Sequence, residues 1–177
     1  SNTVSVLLGD GDGSFQARQD FTVGGNPLSI TSGDLDGDGV PDLVVTNMDS
    51  NTVSVLLGNG VGTFHARQDF TVGDGPRSVA IGDFDGDGIP DLAVANQFSN
   101  TVSVLLGMGD GSFHARQNFG VRESPRSLAV GDLNGAGAPD LAVANHNSDS
   151  VSVLLNQSGS PVPCPADVTG DNQINLA

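Results

Sequence analysis

Three observations predict an all-β fold of stacked four-stranded antiparallel sheets. One block of 49 residues occurs three times without change of length, Ser1 to Asp49, Ser50 to Phe98 and Ser99 to Asn147, and a fourth start follows at Ser148. The first two copies share about two-thirds of their residues, so one supersecondary unit is stacked on itself. Within each block the apolar residues alternate with period two, as in Val53, Val55 and Leu57 against Thr52, Ser54 and Leu56. Connections are short and rich in Gly, Asp and Asn, and no segment keeps helical spacing for the ten or more residues that a helix needs. Four strands repeated about every 40 to 50 residues are the signature of β-propeller blades.

Taken in order, the block that begins at Pro76 supplies strand A over Arg77 to Gly82, B over Asp91 to Ala95, C over Thr101 to Leu106 and D over Phe113 to Phe119. Strands A and B carry apolar residues on both faces (Val79, Ala80, Ile81; Leu92, Ala93, Val94), as strands buried between two layers do. Ser1 to Gly25 then supplies C and D, Pro27 to Val72 a full blade, Pro76 to Val121 another, and Pro125 to Leu155 only A, B and C. A ring needs at least about four blades. The chain is therefore expected to be part of a longer propeller, with a preceding segment giving the last blade its D strand. The rival is an open, solenoid-like array that self-associates through exposed blade faces.

Near-identical copies of this size do not each hold a core, so the core is shared between neighbours. The net charge of −15 arises from 20 Asp, one Glu, six Arg and no Lys, which argues against binding a nucleic acid backbone. The acids concentrate in turns, as a cation site requires. Cys164 is the sole cysteine and lies outside the repeats, so no disulfide forms within these residues. No apolar run approaches the ~20 residues of a membrane span, and no signal peptide is visible.

An Asp-x-Asp-Gly-Asp-Gly-x-Pro-Asp run lies between strands A and B of each block, intact in two copies and degraded in the third. Asp34, Asp36, Asp38 and Asp42, with Gly39 sixth and the Val40 carbonyl seventh, reproduce the oxygen spacing of an EF-hand-type calcium loop. Asp83, Asp85, Asp87, Ile89 and Asp91 repeat it. Hard oxygen donors without His or Cys favour calcium over zinc or copper, and four such carboxylates repel one another unless a cation joins them. The competing reading is that Asp and Gly merely build a tight turn. In the third copy Asp132, Asn134, the Ala138 carbonyl and Asp140 keep their places, but Ala136 replaces one Asp and weakens the site. Without a bidentate Glu, affinity is expected at ~10⁻⁴ to 10⁻³ M, which suits an extracellular module.

These loops, set in 49-residue all-β repeats, resemble the FG-GAP/VCBS repeats that build the seven-bladed propeller of integrin α-chains and occur in bacterial surface proteins. The resemblance covers residues 1–156 and includes a literal Gly137, Ala138, Pro139. It implies Ca2+ in the A–B loops on one face and ligand recognition on the other, formed by D–A and B–C loops. There the copies differ at Gly24 to Asn26, Asp74 to Gly75 and Arg122 to Ser124, and at Met48 to Asp49, Gln97 to Phe98 and His146 to Asn147. Such variation fits recognition and equally fits drift at exposed turns.

Residues 157–165 read as a Ser/Gly/Pro linker. In 166–177, Asp167, Thr169, Asp171, Gln173 and Asn175 follow calcium spacing and resemble the first loop of a dockerin, shortened before the closing acid. A plain polar tail is the alternative.

His65 and His114 stand at matching places on strand D, where the first copy has Gln16, and read as exposed strand residues. Arg18, Arg67 and Arg116 recur in Ala-Arg-Gln and are expected to cover the blade edge beside acids. Glu123 is the only Glu, and no nucleophile, base and acid set stands apart from the repeats, so the reading is non-catalytic. The function expected is a calcium-binding extracellular or cell-surface module for adhesion to a protein or glycan. The alternative is an accessory or targeting domain of a secreted polysaccharide-acting enzyme.

Overall fold

A computed structural model describes residues 1–157, and no helix occurs among them. The strands follow the turns that punctuate the sequence. A first pair, β1 (Thr3–Val6) and β2 (Gln19–Thr22), forms an antiparallel half-sheet. Next come β3 (Pro27–Gly33), β4 (Asp42–Asn47), β5 (Thr52–Leu56) and β6 (Gln68–Thr71), joined in chain order as an antiparallel meander. The same order recurs in β7 (Pro76–Gly82), β8 (Asp91–Asn96), β9 (Thr101–Leu105) and β10 (Gln117–Gly120). Three strands complete the set: β11 (Pro125–Gly131), β12 (Asp140–Asn145) and β13 (Ser150–Leu154). The expected distribution of strands A to D over the four sheets is therefore the observed one.

Strand D is shorter than the sequence suggests, beginning at Gln117 and not at Phe113. Val104 pairs with Gln117 while Gly107 bridges Phe113, so three steps on one arm oppose four on the other. The extra residue makes a bulge over 114–116, and the ladder breaks there. Both earlier hairpins repeat it, with Val6↔Gln19 against Gly9↔Phe15 and Val55↔Gln68 against Gly58↔Phe64.

Neighbouring residues on a central strand feed different cores, because successive side chains leave opposite faces of the sheet. Val44 packs with Val53, Val79 and Val94, between the second and third sheets. Val45, one residue on, packs with Val23 and Leu56 toward the half-sheet. Ala93, Val102 and Val104 meet Leu141, Val143 and Leu154 between the third and fourth sheets. Each interior is thus shared by two successive blades, as the repeat requires.

The repeat also supplies an internal control. Val102 and Val104 are 0% and 1% exposed because the fourth sheet covers them; Val151 and Val153, at the same places in that sheet, are 59% and 37% exposed. The propeller-like stack therefore ends in an exposed apolar face. Burial makes the cost of truncation predictable. Val102→Ala is expected to lose about 2 kcal/mol in urea unfolding, whereas Val151→Ala should lose under about 0.5 kcal/mol; equal losses would deny that the interior lies between sheets.

Turns at the opposite end from the acidic loops are knitted across blades by asparagine. Asn2, Asn51 and Asn100 each accept through Oδ1 from a backbone N–H of the following D–A turn, those of Asn26, Gly75 and Ser124. Asn51 and Asn100 sit at φ of 54° and 55°, a left-handed conformation that asparagine tolerates well. Below them Asn47, Asn96 and Asn145 are buried, and each donates to a serine on the next strand (Ser54, Ser103 and Ser152).

Candidate metal centre

The acidic loops connect β3 to β4, β7 to β8 and β11 to β12, all at one end of the stack. Their geometry starts from the first Asp. Asp34 accepts from Gly37 N at 2.8 Å and Gly39 N at 2.9 Å, one through each carboxylate oxygen. Asp83 does the same with Gly86 and Gly88, and Asp132 with Gly135 and Gly137. These glycines have φ between 76° and 88°, so the turn needs residues without a Cβ. Asp36 accepts from Asp38 N and Asp38 from Val40 N; Asp85 and Asp87 repeat the pattern with Asp87 N and Ile89 N.

Carboxylates converge in two of the three loops. In the first, ligand oxygens of Asp34, Asp36 and Asp42 all lie within 4.8 Å of one another, and in the second those of Asp83, Asp85 and Asp87 do. Two oxygens on one calcium ion stand at most about 5 Å apart, twice the Ca–O distance. The donor sets therefore fit a hard divalent cation. Asp38 lies outside the first cluster and Asp91 outside the second. The third loop gathers no such group among the described residues; there Asn134 Oδ1 accepts from Ala136 N, and Ala138 is buried. For Val40 and Ile89 the structure engages the amide, in the bonds to Asp38 and Asp87.

The ninth-position Asp has a second task that spacing did not reveal. Buried Asp42 accepts from Leu35 N at 2.7 Å and from Gly58 N at 2.7 Å, tying the A–B loop to the C–D hairpin. Asp91 binds Phe84 N and Gly107 N, and Asp140 binds Leu133 N and Asn156 N. A Cβ on Gly58 would lie 2.5 Å from the Pro41 carbonyl oxygen, so this glycine packs directly against the backbone at the end of the acidic loop. Burial pushes the Asp91 carboxyl up to about 6 against the two N–H bonds that lower it, and the carboxylates of Asp85 and Asp83 add to the rise. Asp42 is raised for the same first reason. A cation in the loop would oppose both shifts. The recurrence of one Asp after the loop's Pro, with Gly sixteen residues on in two copies, was the signal available in the sequence.

With this geometry in hand, the match to known proteins is decisive for the family. The FG-GAP-like repeat matches three times, over residues 1–45, 34–94 and 83–143. The chain belongs to the FG-GAP repeat family.

No curated protein matches it. Among solved structures, the FG-GAP chain is similar to a functionally unknown protein of Desulfotomaculum acetoxidans, with 17% identity and a TM-score of 0.59 over 85% of this chain and 48% of that one. A protein of unknown function from Bacteroides caccae gives 16% identity and a TM-score of 0.52, over 84% and 49%. BBS1N, solved in complex with ARL6DN, gives 14% and 0.50, over 78% and 41%. At these identities the likeness concerns the fold alone. The FG-GAP chain spans about half the length of these structures or less. The tail expected to resemble a dockerin loop, and its linker beyond Gln157, lie outside the described residues.

Proposed function

We propose that this FG-GAP segment is a calcium-stabilised, non-catalytic binding module that works outside the cell, with a protein or glycan as its partner. The observation that carries the reading is the convergence of three carboxylates in each of two loops to within 4.8 Å. Rotation of exposed Asp38 into the first loop would add a fourth carboxylate, and the Val40 and Ile89 carbonyls complete the donor sets. Weak affinity of this order works where calcium is permanently abundant. The exterior of a cell provides that, and a resting cytosol does not.

What remains for a partner is surface. The turns at the end away from calcium differ between copies on a scaffold that otherwise repeats, which suits recognition. The exposed Val151 and Val153 face is where a further blade or a second copy of the chain would pack. No helix of the described residues is long and apolar enough to cross a membrane.

Calorimetric titration with calcium tests the reading. Two sites per chain are expected, and Ala136→Asp, which restores the missing carboxylate of the third loop, should raise the count to three. Absence of heat up to ~10 mM calcium, well above the expected dissociation constants, would remove calcium from the function.

A further inference from the structure

The Ala-Arg-Gln motif occurs three times, and its arginine behaves differently in the third. Arg18 pairs with Asp20 at 3.1 Å and Arg67 with Asp69 at 3.0 Å. At the equivalent place beyond Arg116 the chain has Asn118. Asn118 keeps the other bond of this position, accepting from Ser103 Oγ at 2.8 Å as Asp69 accepts from Ser54 Oγ at 2.6 Å. What it lacks is the charge. Arg116 meets no carboxylate among the described residues and instead crosses to the neighbouring sheet, donating to the Thr71 carbonyl at 3.4 Å.

This arginine borders a cleft of about 430 Å³ between β6 and β10. The floor is apolar, made by Leu105 and by Phe70 and Phe113, whose rings meet edge to face at 5.1 Å. His114, Arg116 and Asn118 form the polar rim, all exposed. The nearest acid on the flanking strand, Asp69, is already held by Arg67 and Ser54. The volume exceeds what a bare anion fills and lies within the range of small-molecule pockets.

We infer that the cleft between β6 and β10 is a binding site for a small organic carboxylate, its acid on Arg116 and its body against Phe70 and Phe113. A guanidinium presents a fork of donors matched to a carboxylate, and an arginine held by a long bond to a backbone carbonyl, with no acid beside it, has donors to offer. His114 and the Asn118 amide add donors at the rim. The site is independent of calcium, since no acidic-loop residue lines it.

The test is an NMR titration of the full chain, calcium present, with phenylacetate, glucuronate and acetate as probes. Saturable shifts at the amides of Thr71, His114 and Arg116 are expected with phenylacetate or glucuronate, and weaker ones with acetate. The stronger of the two probes tells whether the body is an apolar ring or a sugar. Asn118→Asp recreates the pair that Arg67 makes with Asp69, in a context the fold already accommodates, and should weaken binding by about tenfold, the scale of one charge-assisted bond. Arg116→Gln should do the same by removing the fork. Shifts absent up to ~10 mM probe, weaker than any useful affinity, or equal binding in both variants, would overturn the site.

Discussion

Calcium at ~100 times its dissociation constant is expected to raise the unfolding midpoint of this chain by on the order of 10 to 20 °C over the same chain in chelator. The expectation rests on linkage. A ligand that binds only the folded state stabilises by RT ln(1 + [L]/Kd), about 2.7 kcal/mol per site at that ratio, and two loops bring three carboxylates together. For a chain of 177 residues, each kcal/mol moves the midpoint by roughly 2 to 4 °C. Magnesium should do much less, because it holds its waters and demands a tighter octahedron. A midpoint unmoved by calcium would leave the acidic runs as turns, for which the hydrogen bonds of Asp34 and Asp83 to glycine amides already suffice. Localisation outside the cell would lose its main support with it.

Asp42→Ala is expected to destabilise the chain by about 2 to 6 kcal/mol even in chelator, from two buried backbone donors losing their acceptor at ~1 to 3 kcal/mol each. Those donors are Leu35 N and Gly58 N. The companion variant is Asp36→Asn, whose amide oxygen still accepts from Asp38 N. It should leave stability in chelator unchanged within about 0.5 kcal/mol and remove most of the calcium response of the first loop. Urea unfolding of both variants, with and without calcium, separates the roles. If Asp42→Ala lost stability only in calcium, the carboxylate would be a ligand and nothing more. If Asp36→Asn lost it in chelator, the loop's own hydrogen bonds would matter beyond the turn.

The two expected effects divide one motif. Asp34 and Asp36 in the first loop, with Asp42 beside them, and Asp83, Asp85 and Asp87 in the second gather charge. Asp42, Asp91 and Asp140 are buried and fasten the loop to the adjacent hairpin. In the third blade Asn134 and Ala136 stand where the first two loops have Asp and no carboxylate cluster forms among the described residues, while Asp140 keeps both bonds. That blade therefore retains the loop's form without a carboxylate cluster, which is why the motif's persistence alone is weak evidence for a metal.

Strand number and order, the A to D assignment and the sharing of a core were legible from the sequence because they depend on local periodicity and on a repeat of fixed length. Val44 and Val45 belong to different interiors simply because they are adjacent on a strand. The acidic loops were legible for the same reason, since their carboxylates lie within nine residues of chain. Three features were decided only by tertiary structure. The bulge that delays strand D until Gln117 depends on how the Gly107 bridge sets the hairpin's register. The two hydrogen bonds that Asp42 accepts join Leu35 to Gly58, a link for which the sequence offered only the recurrence of Asp and Gly sixteen residues apart. That Arg116 lacks an acidic partner follows from a neighbour two residues away, yet the cleft it borders against Phe70 and Thr71 exists only once two sheets are packed. Sequence specifies what repeats along the chain; the contacts between repeats, made through space by residues about 50 apart, appear only when the blades are stacked.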